Sequence, residues 1–257
     1  MIYKERAACD FLWPGGPCFK DEAEVFRLCT DSVLLAYFAG SSLLKKKKRA
    51  IDLGCGSGVL SILISWHTPG LLIDSVDINP GAVRLTDENA ELSGVSDNIR
   101  AIEGDLRRHR EFLQPGSYDL TITNPPYYSP GSGKRAISDH RAAARSEELC
   151  SLDDMCTAAG YLTRWGGSFM LVHKPERLAD IFRALNNAGF EPKRIRFVQH
   201  KQSTPPSLVL IESRRGGKPS LKVESPLLLA NDDGTDSDEV RSIYHRKKDP
   251  EEVCNNV

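Results

Sequence analysis

Long apolar runs are missing from this chain: none of its stretches approaches the roughly 20 residues needed to cross a bilayer, which argues against a membrane-spanning role. The segment Met1–Phe19 has no apolar stretch behind a basic one, so a secretory signal is not expected. Paired cysteines are missing too. The seven thiols at 9, 18, 29, 55, 150, 156 and 254 are scattered and never spaced Cys-x-x-Cys. This pattern favours reduced cysteines in a cytoplasmic protein over a disulfide framework or a zinc site. Six histidines show no ligand spacing, so no metal is expected. A formal net charge of −1 argues against indiscriminate nucleic-acid binding, though not against local basic patches.

What is present is a regular alternation. At 257 residues the chain can bury a full core in one large domain with modest additions. From Ala50 onward, short apolar runs alternate with helical patterns, the signature of a parallel sheet with crossover helices. Strands are expected at Ala50–Leu53, Leu72–Val76, Ile99–Glu103, Tyr118–Thr123 and Ser168–Val172. Helices are expected at Val59–Trp66, Pro80–Leu92, Leu149–Leu162 and Pro175–Ala188, with Pro80 in a first turn and Gly189 as a stop. Arg194–His200 and Ser207–Glu212 read as two further strands. The expected class is therefore α/β: a Rossmann-like sheet of five parallel strands plus a closing antiparallel pair. A dinucleotide-binding fold would add a sixth strand–helix unit instead.

Three segments follow from this pattern. Residues 1–49 form a short N-terminal extension, in which Trp13-Pro-Gly-Gly-Pro is a turn and Thr30-Asp31-Ser32-Val33 opens a helix capped by Thr30 or Asp31. The basic run Lys45–Arg49 reads as a solvated loop before the first strand. Residues 50–222 form the sheet domain. Residues 223–257 are a C-terminal extension whose last dozen residues are expected to be mobile. Charge is divided between neighbours: 191–222 hold eight basic and two acidic groups, 223–257 nine acidic and four basic.

The loop Asp52-Leu53-Gly54-Cys55-Gly56-Ser57-Gly58 closes the first strand and opens a helix. Glycines at alternate positions let backbone turn tightly and approach a ligand closely. Gly-x-Gly-x-Gly, rather than Gly-x-Gly-x-x-Gly, suits the methionine end of S-adenosylmethionine, whose ammonium Asp52 can meet. The second strand ends at Asp77, placed to accept from both ribose hydroxyls, the interval from the loop being about 20 residues. The third runs into Gly104-Asp105, whose carboxylate can accept from an adenine amino group. Each acid alone is an ordinary cap or turn residue; three at successive strand ends beside a glycine loop indicate a cofactor site.

The fourth strand runs straight into Asn124-Pro125-Pro126-Tyr127. Two prolines fix the backbone and leave the Pro125 carbonyl free of a strand partner. That carbonyl and the Asn124 side-chain oxygen can both accept from an amino group, turning the nitrogen lone pair towards a methyl donor. Tyr127 offers an aromatic face for a base or amide plane. Catalysis of this kind is positioning and polarisation, without metal or strong base. Beyond the motif, Lys134, Arg135, Arg141 and Arg145 are cations suited to a phosphate backbone, and with Lys193, Arg194 and Arg196 they favour nucleic acid over protein as substrate.

With these residues in view, the chain resembles the bacterial tRNA1(Val) adenine-N6-methyltransferase family, a branch of the Asn-Pro-Pro-Tyr amino-methyltransferases. The resemblance runs from about Asp10 to Tyr244. Its widely shared parts are the glycine loop and Asn124–Tyr127. Ala144-Arg-Ser-Glu also matches, and its narrower parts are Thr30-Asp31-Ser32-Val33-Leu34-Leu35-Ala36 and the run from Gly167 to Leu178. It implies a class I methyltransferase fold and transfer from S-adenosylmethionine, leaving S-adenosylhomocysteine, to the N6 of adenosine 37 of a valine tRNA. It also implies a cofactor site of Thr30, Asp31, Asp52, Gly54, Gly56, Gly58, Asp77, Gly104, Asp105 and Asn124, with Asn124 to Tyr127 catalytic. A loop adenine is already partly unstacked, so presenting it costs little. The C-terminal Leu228-Leu-Ala-Asn-Asp-Asp-Gly is poor in aromatics for an RNA-docking element. The partner implied is tRNA, with neither DNA nor membrane; the oligomeric state stays open, a monomer being favoured. Competing readings are an rRNA base amino-methyltransferase, a release-factor glutamine N5-methyltransferase and a catalytically idle RNA-binding protein. A DNA adenine methyltransferase would need a larger recognition domain than the flanking segments allow.

Overall fold

The computed structural model describes residues 9–20, 29–40, 48–125, 127 and 150–245. Pro126, Lys134, Arg135, Arg141, Arg145 and the final twelve residues lie outside this set, as do Lys45, Lys46 and Lys47 of the basic run.

The strands are β1 (Asp10–Phe11), β2 (Cys18–Phe19), β3 (Arg49–Leu53), β4 (Leu72–Asp77), β5 (Ile99–Glu103), β6 (Tyr118–Thr123), β7 (Thr163–His173), β8 (Phe190–Gln199), β9 (Leu208–Arg215), β10 (Lys222–Val223) and β11 (Leu227–Leu228). The helices are α1 (Thr30–Gly40), α2 (Val59–His67), α3 (Pro80–Leu92), α4 (Leu152–Leu162), α5 (Leu178–Asn187) and α6 (Asp238–Ile243). The main sheet runs β5-β4-β3-β6-β7-β9-β8, with β10 and β11 both pairing with β8. The first five in that order are mutually parallel, and β9 lies antiparallel between β7 and β8. The expected closing pair is thus the antiparallel β8–β9 hairpin.

Side-chain alternation along these strands divides the core into two layers. Ala50, Leu120, Ile122, Met170, Val172 and Leu210 face α1 and α2. Ile51, Leu53, Phe169, Leu171, Val209 and Ile211 face α4 and α5. The strand order reverses between β3 and β6, each continuing into a loop at the same end of the sheet. Such a reversal is where open α/β sheets bind ligands.

Local chemistry sets the helix ends. Asn79 caps α3 by accepting from Gly81 N, with Pro80 in the first turn. Ser151 and Asp154 form a reciprocal capping box, so α4 starts at Leu152 rather than Leu149. The helix expected over Pro175–Ala188 is divided: a 3-10 turn over Pro175–Arg177 precedes α5. Thr30 and Asp31 both lie inside the first turn of α1 instead of capping it.

The cysteine expectation fails at one pair. Trp13-Pro-Gly-Gly-Pro reverses the chain, with Leu12 N donating to Pro17 O and Gly16 N to Trp13 O. The resulting β1–β2 register places Phe11 opposite Cys18, bringing Cys9 and Cys18 to a Cα–Cα distance of 5.9 Å and into a disulfide. Nine-residue spacing carries no such signal until the hairpin forms. Cys29, Cys55, Cys150 and Cys156 are free. No helix of the described residues is long and apolar enough to cross a membrane.

The segment after β9 returns to the sheet edge and to its core. β10 and β11 extend its edge, and Val240 and Ile243 of α6 are buried.

Candidate active site

The glycine loop leaves β3 and turns under backbone control. Gly54, Gly56 and Gly58 all have positive φ, at 74°, 56° and 78°. Gly54 N and Cys55 N both donate to Val76 O, tying the loop to the end of β4. From α3, Thr86 Oγ1 donates to Gly56 O at 3.0 Å and Asn89 Nδ2 to Ser57 O at 2.9 Å. Asn89 Oδ1 also accepts from Lys20 N, so one buried amide joins the N-terminal hairpin to the loop. Sequence reasoning missed both clamps. Their signal was two polar residues, i and i+3, within the otherwise apolar stripe of Ala82, Leu85 and Ala90.

Asp52 does not line the surface. Its side chain turns to the α2 face of the sheet, 1 % exposed, and accepts from Ser61 Oγ at 2.8 Å, which also contacts Ser75 Oγ at 2.8 Å. Burial pushes its carboxyl up to about 7. In this arrangement Asp52 supports the loop from beneath.

Asp77 stands at the end of β4, half-buried. It accepts from Gly56 N at 3.0 Å and Asn79 N at 2.9 Å, and burial raises its pKa. One carboxylate thus braces both the glycine loop and the turn into α3, whose cap is Asn79 rather than Asp77. Ile78, next to it, is an exposed apolar side chain. Asp105 accepts from Arg107 N and pairs with the Arg107 guanidinium at 2.6 Å, which holds its carboxyl below the ordinary range. Gly104 lies under the Phe112 ring, which a Cβ there would meet at 2.4 Å. Apolar Ile78 and Phe112 flank strand ends that carry Asp77 and Asp105, a combination fitted to a nucleoside.

Asn124 leaves β6 beside the β3 loop. Thr123 Oγ1 fixes this junction by donating to Leu53 O at 2.7 Å. Asn124 Nδ2 donates to Ser32 Oγ at 3.0 Å, so the start of α1 orients the amide. Tyr127 Oη lies 2.5 Å from Asp31 Oδ2 and 2.8 Å from Asn124 Oδ1. One hydroxyl carries one proton, and the carboxylate is the stronger acceptor. Asn124 Oδ1 therefore keeps acceptor capacity for an incoming amine. Burial and the Asp31 charge drive the Tyr127 phenol well above its ordinary pKa, so it stays protonated. Pro125 is buried behind Asn124.

At the end of β7, His173 packs 5.2 Å from the Tyr127 ring and Lys174 Nζ sits 5.1 Å over it. His173 is buried, and burial lowers its pKa to about 4. Its Nδ1 accepts from Lys174 N at 2.8 Å, which leaves the imidazole neutral with its proton on Nε2. This wall of the site carried no expectation from the sequence.

The basic residues after β7 are placed otherwise than expected. Arg194 donates to Glu212 at 3.0 Å and to Phe38 O at 2.9 Å, and it also pairs with Glu224. Arg196 forms a two-pronged pair with Glu239 at 2.6 and 2.7 Å and donates to Ser225 O. Lys193 donates to Lys218 O and to Ser220 Oγ. Through Glu224 and Glu239, Arg194 and Arg196 tie the segment after β9 to the sheet edge. Arg194 and Arg196 are thus committed to carboxylates within the fold.

A family model described as the methyltransferase small domain matches residues 31–176. A tRNA1(Val) (adenine(37)-N6)-methyltransferase from Dickeya chrysanthemi (strain Ech1591) is 31 % identical over 210 residues, covering 79 % of this chain and 80 % of the relative. A protein of the same name from Yersinia pseudotuberculosis serotype O:3 (strain YPIII) is 30 % identical over 162 residues, 63 % of this chain and 62 % of the relative. A crystal structure of a predicted O-methyltransferase from Agrobacterium tumefaciens superposes with a TM-score of 0.67 at 17 % identity, covering 86 % of this chain and 98 % of the other, a likeness of fold alone.

Proposed function

The chain belongs to the bacterial tRNA1(Val) (adenine(37)-N6)-methyltransferase family, and from that premise we propose how its residues divide the work of methylating an adenine N6 in tRNA. The carrying observation is the junction of β3 and β6. It sets a glycine cradle beside an Asn124 amide that is oriented by Ser32 and has acceptor capacity to spare.

The cradle fits S-adenosylmethionine. Its glycine backbone leaves room for close approach, Asp77 and Asp105 supply acceptors at successive strand ends, and Ile78 and Phe112 supply apolar surface. When bound, the cofactor provides a methyl group made electrophilic by a sulfonium. The protein's part is to hold the acceptor. Asn124 Oδ1 and the Pro125 carbonyl accept the two N6 hydrogens, fixing the amine and drawing its lone pair out of conjugation with the ring. Tyr127 supplies an aromatic surface for the base plane, and its phenol, bonded to Asp31, sets the tilt of that surface. One N6 proton is lost to solvent once the new N–C bond has formed.

Residues 50–222 are the catalytic domain in this reading. Residues 1–49 contribute Asp31 and Ser32 to its wall, and 223–257 brace its edge. Adenosine 37 of tRNA1(Val) is the acceptor, the enzyme works as a monomer without a metal, and the cytoplasm is its compartment. The Cys9–Cys18 bond pulls the other way on compartment, since structural disulfides are uncommon where thiols are kept reduced.

The test is transfer of radiolabelled methyl to bulk tRNA, rRNA and a release factor, followed by nucleoside analysis. N6-methyladenosine in tRNA is expected. Label confined to protein, or to a base other than adenine, would overturn the reading.

A further inference from the structure

We infer that Lys174 is a backbone-phosphate contact for the target nucleotide, delivering the RNA strand to the Tyr127 face. This rests on the reading of the site as an RNA amino-methyltransferase.

Arg194 and Arg196 are held by Glu212, Glu224 and Glu239, with their side chains only 14 % and 17 % exposed. They cannot reach RNA without releasing the C-terminal segment. Lys174 is differently situated. Its ammonium sits 5.1 Å over the Tyr127 ring and, among the described residues, makes a single polar contact, a long 3.4 Å bond to Ser207 O. No carboxylate among the described residues lies within ion-pairing distance of Nζ. The residue stands on a fixed base: His173, buried beside Tyr127, accepts its backbone N–H, and Pro175 opens a 3-10 turn directly after it. A positive charge with no carboxylate partner among the described residues is therefore held over the Tyr127 ring, the surface that would receive the base.

A base stacked on Tyr127 carries its own phosphate to within a nucleotide's reach of that ring. An ammonium with only a π face and a long carbonyl contact has little to lose by turning to a phosphate oxygen. Movement off the ring would also free that face of Tyr127. Charge and stacking surface are coupled by position: the strand's backbone draws the cation aside as the base arrives.

The experiment measures the dissociation constant of an unmodified tRNA1(Val) transcript, with S-adenosylhomocysteine saturating, over a series of KCl concentrations. It compares wild type, Lys174→Gln and Lys174→Arg. One lost phosphate contact on a single strand lowers the slope of log affinity against log salt by about 0.7. Lys174→Gln is expected to show that drop and to bind about fivefold or more weakly at fixed salt. Lys174→Arg should restore the wild-type slope, and all three should bind S-adenosylhomocysteine alike. A role in packing alone would weaken binding without changing the slope. An unchanged slope in Lys174→Gln, or an arginine variant that behaves like glutamine, overturns the inference while leaving RNA methylation intact. Absence of any methyl transfer to RNA by the wild type would instead remove the reading beneath it.

Discussion

Replacing Gly58 by alanine tests how the cofactor loop is held. Gly58 has φ +78°, and an added Cβ would lie 2.9 Å from Thr86 Cγ2, 3.1 Å from Oγ1 and 3.2 Å from Cβ. Thr86 has no room to yield. It is fully buried, and its Oγ1 is bonded to Gly56 O, so moving it breaks the clamp on the loop. Gly70 is the internal control, with φ +82° and nothing within 4 Å of its Cβ position. A side chain in the left-handed region costs about 1–2 kcal/mol, the whole effect expected at Gly70. Overpacking adds about 1–3 kcal/mol, so Gly58→Ala should cost about 2–5 kcal/mol. For a chain of this size each kcal/mol lowers Tm by about 2–4 °C. Scanning calorimetry should therefore place Gly58→Ala at least about 2 °C below Gly70→Ala. Isothermal titration with S-adenosylmethionine should show weakened binding for Gly58→Ala alone. Equal Tm losses with unchanged affinity would refute the claim that Thr86 and Gly58 are packed as one unit.

Four further outcomes follow from the site. Asn124→Ala should keep cofactor affinity and lose about 10²–10³ in kcat, as for removal of one preorganised polar group; full activity in single-turnover assays would exclude Asn124 from the chemistry. Asp31→Asn weakens the 2.5 Å contact that sets Tyr127, and about a tenfold fall in kcat with unaltered cofactor binding is expected. Asp52 has a folded-state pKa of about 7 against an unfolded 3.8, so the native state binds the proton more tightly, and stability present at low pH is lost as pH rises through about 7. Tm should fall less between about pH 5 and about pH 8 in Asp52→Asn than in wild type, and parallel curves would show that Asp52 does not titrate there. Arg196→Ala should cost about 1–3 kcal/mol and expose 223–245 to limited proteolysis without weakening tRNA affinity; weakened RNA binding with an intact edge would return Arg196 to the RNA surface.

Much of the sheet could be read in advance because its signals are local. β5, β6 and α3 lie where periodicity and turn residues set them. The runs over β7, β8 and β9 were read short, because their outer residues pair with neighbours distant in sequence. Thr163 reaches Tyr118, and Arg214 and Arg215 reach Glu191 and Phe190, partners that no local pattern announces.

The same division runs through the site. Gly54, Gly56, Gly58, Asp77 and Asn124 were legible because backbone conformation and strand-end position constrain residue type at those places. Their duties were not. Asp52 was read as a ligand and is buried against Ser61, since the alternation of β3 turns its side chain inward. Arg194 and Arg196 were read as an RNA surface and are paired with Glu212, Glu224 and Glu239, because β8 lies beside the acidic segment that follows β9 and β10. Local sequence determined the elements and the glycine-and-asparagine chemistry of this protein, since φ, hydrophobic period and turn type are properties of neighbouring residues. Tertiary structure alone decided which charges are neutralised and which thiols meet. It also decided which side chains surround Tyr127, because Coulombic and packing energies depend on distance in space, and the chain becomes close in space only by folding.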